Sequence, residues 1–246
     1  VIDEKPPLAE AYLEHFGVKG MRWGVRKDES AGIHRFQASG PVIDSKLPKS
    51  TQKAGKDVAA LMSERYGFQV TALKSFGPGH PEYEMGTAAY VEATPGQRGG
   101  VIYASQKNLG PMLKHAENIG WSAKGCGTEY GLLTHESSHA LFHAEEETKM
   151  GLFRSRVTGG NIDARDVALR ASVTEAAKAG IPNTQFLNSV SGYAAKAGTR
   201  QEMEAELFSQ YHWSPNPPPF VKVWGETLHR EMGVDATPFR EVVKRG

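Results

Sequence analysis

His135-Glu136-Ser137-Ser138-His139 is the stretch on which the reading of the chain turns. On a helix, residues four apart share a face, so the imidazoles of His135 and His139 can point at one ion. Glu136 lies a fraction of a turn away, within reach of a water held by that ion. Zinc suits the arrangement, because two His and one carboxylate fill three positions and leave a fourth for water. The ion lowers the pKa of the water, Glu136 takes its proton, and the resulting hydroxide attacks a carbonyl. Leu132, Leu133, Ala140 and Leu141 flank the motif, so the helix is expected over a core rather than in solvent. Two ordinary helix histidines share the same spacing, and the motif alone recurs by chance. The metal reading therefore requires a third ligand on another element.

Gln201-Glu202-Met203-Glu204-Ala205-Glu206-Leu207-Phe208 supplies it. Glu202 and Glu206 are four apart and face one way, while Glu204 points elsewhere. One carboxylate can bind the ion, and the other can accept the second N–H of a ligand histidine and so fix its ring. An acidic solvated face is the competing reading; it accounts for Glu204 better than for Glu206, which has apolar neighbours on both sides. His143 follows His139 by four residues, but a straight helix makes ligation from there awkward. The longer His-Glu-x-x-His-x-x-Gly-x-x-His pattern fails as well, because Glu145 stands where its last His belongs. His143 is expected as a supporting or surface side chain. Cys126, just ahead of the helix, reads as a small buried residue; a thiolate held at the open metal position is its other reading.

Taken together, His135 to His139, Ser191-Gly192-Tyr193-Ala194 and Glu202 to Phe208 resemble the zinc peptidase domain of the anthrax lethal factor family. The resemblance spans roughly residues 128–211, about one third of the chain. It implies a zincin-like α+β fold and zinc as cofactor. It also implies Glu202 as the third ligand, Glu206 as supporting carboxylate and Tyr193 as donor to the developing oxyanion. A plain packing aromatic is the other role open to Tyr193. Met203-Glu204 departs from the aromatic pair usual after the first Glu, leaving a polar residue where packing is expected.

The rest of the chain is consistent with one such domain. Its 246 residues, 39% hydrophobic and 23% charged, suffice for one sizeable core or two small ones. Lys+Arg 29 against Asp+Glu 28 leaves a net charge of +1, which supports neither a nucleic-acid partner nor a basic membrane surface. A single Cys excludes an intramolecular disulfide and a Cys-rich zinc module. No apolar run reaches the length of a membrane span. The opening Val1-Ile2-Asp3-Glu4-Lys5 has neither an initiator Met nor an apolar signal segment, so the sequence reads as a processed chain or a fragment.

Residues 1–50, broken by Gly and Pro, are expected as an extended arm, and residues 51–246 as the metallopeptidase-like domain. Helical rhythm over Thr51 to Tyr66 gives way to a strand at Phe68 to Phe76. Strands at Thr87 to Ala93 and Gly100 to Ala104 are expected to pair as a hairpin. The second of them is expected to offer an exposed edge to an extended peptide. Helices follow over Asn108 to Asn118, Thr128 to Lys149, Asp163 to Ala179, Arg200 to Tyr211 and Phe220 to Met232. The expected architecture is α+β: a small upstream sheet, a central His-Glu-x-x-His helix and a C-terminal helical lobe.

Within the arm, Phe16, Met21, Arg22, Trp23 and Arg26 interleave aromatic anchors with positive charge, a composition that suits a groove on a partner. Packing on its own domain is the competing reading. The segment His15 to Lys27 resembles a short Gly, Trp and Arg motif of tailed-phage structural and head-associated proteins. That resemblance implies head, connector or tail proteins as partners, and a virion or host-cytoplasm setting. The expected activity is zinc-dependent cleavage of a protein or peptide through Glu136. The alternatives are a virion adaptor with an idle zincin fold and a phage-encoded or secreted toxin domain.

Overall fold

The computed structural model describes residues 40–93, 99–147 and 163–244, and its side-chain description of the second stretch ends at Phe142. Helix α1 (Lys49–Tyr66) buries Ala54, Val58, Ala59, Leu61, Met62 and Tyr66 along one stripe. Gly67, at φ 61, ends it in the left-handed conformation. The N–H of Gly67 and that of Phe68 then return to the carbonyls of Ser63 and Met62, closing the last turn.

Four strands form one sheet in the order β1-β2-β4-β3, with β1 (Val42–Ile43), β2 (Gln69–Phe76), β3 (Ala89–Ala93) and β4 (Gly99–Ser105). β1 runs parallel to β2 and β2 parallel to β4, while β3 pairs antiparallel with β4. The expected hairpin is present. The expected edge is not: β4 lies inside the sheet and β3 is the outer strand. Gly100 has a packing reason instead. A Cβ there would sit 3.3 Å from the Ala140 Cβ and 3.0 Å from the Glu92 carbonyl, so glycine lets the central helix approach the sheet closely.

The boundary at residue 51 also shifts. Val42 and Ile43 pair with Ala72 and Leu73, and Leu47 lies in the main core. The packed domain therefore includes residues from the end of the expected arm, because a second parallel strand and Leu47 complete the cover of α1 and β2.

The remaining helices are α2 (Pro81–Glu84), α3 (Leu109–Asn118), α4 (Glu129–Glu147), α5 (Ala164–Lys178), α6 (Phe186–Val190), α7 (Gly192–Ala197), α8 (Arg200–Trp213), α9 (Pro219–Met232) and α10 (Phe239–Val243). α4 is the centre of the molecule, in contact with α1, β3 and β4 on one side and α8 on the other. Its Leu133, Ala140, Leu141 and Phe142 belong to the core. In the helical lobe α9 packs on α5, with Trp224 and Leu228 fully buried one turn apart. The fold is thus mixed α+β, a small sheet beside a larger helical layer. No helix among the described residues is long and apolar enough to cross a membrane.

Candidate metal centre

Helix α4 starts where the Thr128 hydroxyl accepts the Gly131 N–H, a side-chain cap on the first turn. Two turns on, the motif is buried on every side, so its polar residues need internal partners. Ser137 donates to the Leu133 carbonyl and Ser138 to the His135 carbonyl, both at 2.7 Å. Small hydroxyls that bond back to their own helix are tolerated in such a place. Helix α8 opens with Thr199, whose hydroxyl accepts the Glu202 N–H and sets that residue in the first turn.

These two helices bring three side chains to one point. His135 Nε2 lies 3.2 Å and His139 Nε2 3.1 Å from the same Glu202 oxygen, Oε2, and the two Nε2 atoms are 3.1 Å apart. A tetrahedral ion with bonds of about 2.0–2.1 Å separates its ligands by about 3.3 Å, so the spacing fits a metal of zinc's size. The donor set tests the same idea independently. Glu206 Oε1 lies 3.0 Å from His135 Nδ1, and a carboxylate there takes an N–H from that nitrogen. The proton of neutral His135 is thereby assigned to Nδ1, leaving the Nε2 lone pair facing the Glu202 oxygen. With His135 neutral, as a metal ligand must be, the lone pairs of three side chains converge in a dry site that suits a cation; in the metal-free chain a proton on His135 takes that place. His135, His139 and Glu202 form a buried group that could hold a metal ion.

Burial by itself would lower the His135 pKa, but the carboxylates of Glu202 and Glu206 outweigh it and hold the ring well above its usual value. Burial pushes Glu136 well above the usual carboxylate range; His135 opposes this, and Glu202 and Glu206 reinforce it. Tyr193 is raised by burial and then by Glu202, Glu136 and Glu206, so its phenol keeps its proton and can donate. Its ring stands 5.9 Å from that of His135. The short helix α7 that carries it is tied to the loop after α3. The Gly192 and Tyr193 N–H groups donate to the carbonyls of Gly120 (3.0 Å) and Trp121 (2.9 Å). A Cβ on Gly192 would lie 2.9 Å from the Gly120 carbonyl oxygen, so only glycine permits that approach.

Beside the centre opens a pocket of about 570 Å³, open solvent at its mouth included, whose wall includes His135, Glu136, Tyr193 and Glu206. Ala88 and Ala89 at the start of the outer strand, Leu113 and Ala116 of α3, Trp121 and Leu132 make most of it apolar. Cys126 also lines it as a small buried side chain, and burial pushes its thiol pKa up, against any thiolate role in the metal-free site.

Glu204 points away from the centre, as the helical spacing requires, but it is not solvated. It is buried, 2.7 Å from Arg200 and 3.6 Å from Arg165 of α5. The polar residue that replaces an aromatic in the resemblance is thus a two-arginine anchor between α8 and α5. The side chain of His143 and the arm residues Phe16, Met21, Arg22, Trp23 and Arg26 lie outside the described residues. The sequence pattern alone did not single out Trp121, Ala88 or Leu113, because pocket walls are assembled from segments without a shared motif. It also passed over His212 and His229, which the fold buries together around Tyr66.

A model described as a family of unknown function (DUF7211) matches residues 6–30, a segment of the arm that contains none of the centre's residues. Comparison with curated proteins and with solved structures gives no match.

Proposed function

We propose that the chain is a zinc-dependent endopeptidase with a zincin-type centre. The observation that carries this reading is the approach of His135 Nε2, His139 Nε2 and Glu202 Oε2 to within 3.1–3.2 Å of one another. They meet beside a pocket that also holds Glu136 and Tyr193. Zinc bound there supplies Lewis-acid polarisation and a lowered water pKa. Glu136 takes the proton of the attacking water and, with a carboxyl that burial makes a weak acid, passes it to the leaving amine. Tyr193 donates to the oxygen on which charge develops. The outer strand β3, which runs into the pocket wall at Ala88 and Ala89, receives an extended peptide by strand addition. Glu206 keeps the His135 ring oriented, and its hydrogen bond raises the basicity of the ligand nitrogen.

The purified chain is expected to hold about one zinc per molecule. Glu136→Gln is expected to keep that zinc and to lose hydrolysis by about 10²–10⁴-fold. Equal cleavage of a verified substrate by Glu136→Gln, or full zinc content in His135→Ala, overturns the proposal.

The second reading is a particle-associated adaptor whose metal centre is idle. It is motivated by the arm, where Phe16, Met21, Arg22, Trp23 and Arg26 interleave anchors with charge in a segment that resembles a tailed-phage motif and falls within a family match of unknown function over residues 6–30. On that reading the full chain forms a stoichiometric complex with a phage head, connector or tail protein. Deletion of residues 6–30 then abolishes the complex, and His135→Ala leaves it unchanged.

A further inference from the structure

Away from the metal centre, three buried groups form a chain whose proton positions can be deduced. Tyr66 Oη of α1 lies 2.9 Å from His212 Nε2 of α8 and 2.7 Å from His229 Nε2 of α9. The Phe239 N–H donates to His212 Nδ1 at 3.3 Å, so that nitrogen carries a lone pair and its Nε2 carries the proton. His229 Nδ1 lies 2.5 Å from the Gly225 carbonyl, which can only accept. His229 therefore has its proton on Nδ1 and a lone pair on Nε2. Tyr66 accepts from His212 and donates to His229, and every polar atom in the chain is satisfied. Both rings are neutral, in opposite tautomers, and fully buried.

An added proton has no place in this arrangement. On His212 Nδ1 it would face the Phe239 N–H, donor against donor. On His229 Nε2 it would leave the Tyr66 hydroxyl proton without an acceptor, and an orphaned buried donor is costly. The surrounding charges oppose it too. Arg65 of α1 sits 4.7 Å over the Phe239 ring, and Arg240 of α10 donates to the Tyr211 carbonyl at 2.7 Å. Asp235, mostly exposed and 3.6 Å from Arg65, pulls the other way on His229 without outweighing burial, and the Tyr211 phenol of α8 donates to the Ala236 carbonyl.

The relay meets the C-terminal strap at Phe239, while Arg65 and Tyr211, donating to the Thr237 and Ala236 carbonyls, hold the strap beside it. Phe239 is fully buried and stacks on His212 at 3.8 Å with rings 13° apart. Beyond it the strap contributes only the partly buried Val234, Val242 and Val243 to the core. We propose that residues 233–244 are an acid-released strap, latched onto α8 by the His212–Tyr66–His229 relay. The latch does not involve the metal centre.

Burial, reinforced by His229, Arg65 and Arg240, holds His212 well below its usual pKa. Burial likewise takes His229 down to about 4. Between the ordinary His value near 6.5 and that depressed value, the released form binds more protons than the latched one. The latch is therefore fully present above about pH 6.5 and is lost as the pH falls toward 4.

Nitrogen-15 NMR on the full chain at pH 7 should find His212 protonated on Nε2 and His229 on Nδ1. Hydrogen exchange in residues 234–243, corrected for intrinsic rates, should quicken by at least about tenfold between pH 7 and pH 4.5 while α4 stays protected. The change should be the same with zinc and with a chelator. Tyr66→Phe keeps the ring and removes the link, and should free the strap at pH 7. Matching tautomers in the two rings, unchanged strap exchange in acid, or joint loss of strap and α4 protection would each overturn the latch. Should Tyr66→Phe not fold, the wild-type tautomers and exchange profile decide.

Discussion

Glu204 and Glu206 are both buried on α8, two residues apart, and they are held by different partners. Glu206 meets His135 at 3.0 Å and so fixes the orientation of that ring. Glu206→Ala is expected to weaken zinc binding by about 10–100-fold in a chelator competition, with little change in secondary structure. Unchanged affinity would mean that the His135 ring is oriented by something else. Glu204 meets Arg200 and Arg165, and Arg165 is only 5% exposed. Removing the carboxylate takes one of two acidic partners from a buried guanidinium, which keeps Asp163 at 2.7 Å. Glu204→Leu is therefore expected to cost about 3 kcal/mol in urea unfolding while zinc stoichiometry stays at one per chain. A neutral result would show that the leucine recovers by packing what the ion pairs supply. From the sequence, Glu206 was recognisable by its spacing from Glu202 and its apolar neighbours. The anchoring role of Glu204 was not, because Arg165 lies far away along the chain and nothing local announces it.

At the scale of elements, local rhythm and capping were legible, and pairing was not. The stripe from Thr51 to Tyr66 with Gly67 behind it gave α1 within two residues at its start, and Thr199 and Asp163 stand at the N-caps of α8 and α5. Strands β2 and β4 were visible as segments, yet their order was hidden. Alternation in Gly99–Ser105 is the same for an inner strand as for an edge, and only the partners β2 and β3 decide between them. β1 escaped for a related reason: two residues carry no period, and they are a strand only because Ala72 and Leu73 lie beside them. Gly100 shows how a sheet residue reports on a helix. Gly100→Val would push a side chain against Ala140 and Glu92, lifting α4 from β4 at the turn after His139. A loss of about 1–3 kcal/mol is expected, together with weakened zinc binding, since the two helices that carry His135, His139 and Glu202 would no longer be in register. Equal stability in denaturant would show that the sheet yields instead.

For the molecule as a whole, the centre is a place where folding and ligation are coupled. The sheet and α1 support α4 from one side, α8 is backed by α9, which packs on α5, and the ligand atoms meet only when both halves are docked. Without a metal, that docking crowds His135, His139 and Glu202 together, eased in part by a proton on His135, and buries Glu136 among other carboxylates, a cost that a bound divalent ion would offset. An ion that binds the folded chain and not the unfolded one adds about 4 kcal/mol of stability at a thousand times its dissociation constant. In a chain of this length each kcal/mol moves the melting temperature by about 2–4 °C. Saturating zinc is therefore expected to raise Tm by about 8–16 °C in calorimetry, with chelation restoring the lower value. Glu136→Gln should keep the whole shift, because Glu136 is not among the three side chains that could hold the ion. Glu202→Gln should lose most of it, since an amide oxygen carries no charge to set against the cation. A wild-type Tm indifferent to zinc would show that the three side chains meet for the sake of the helix interface alone.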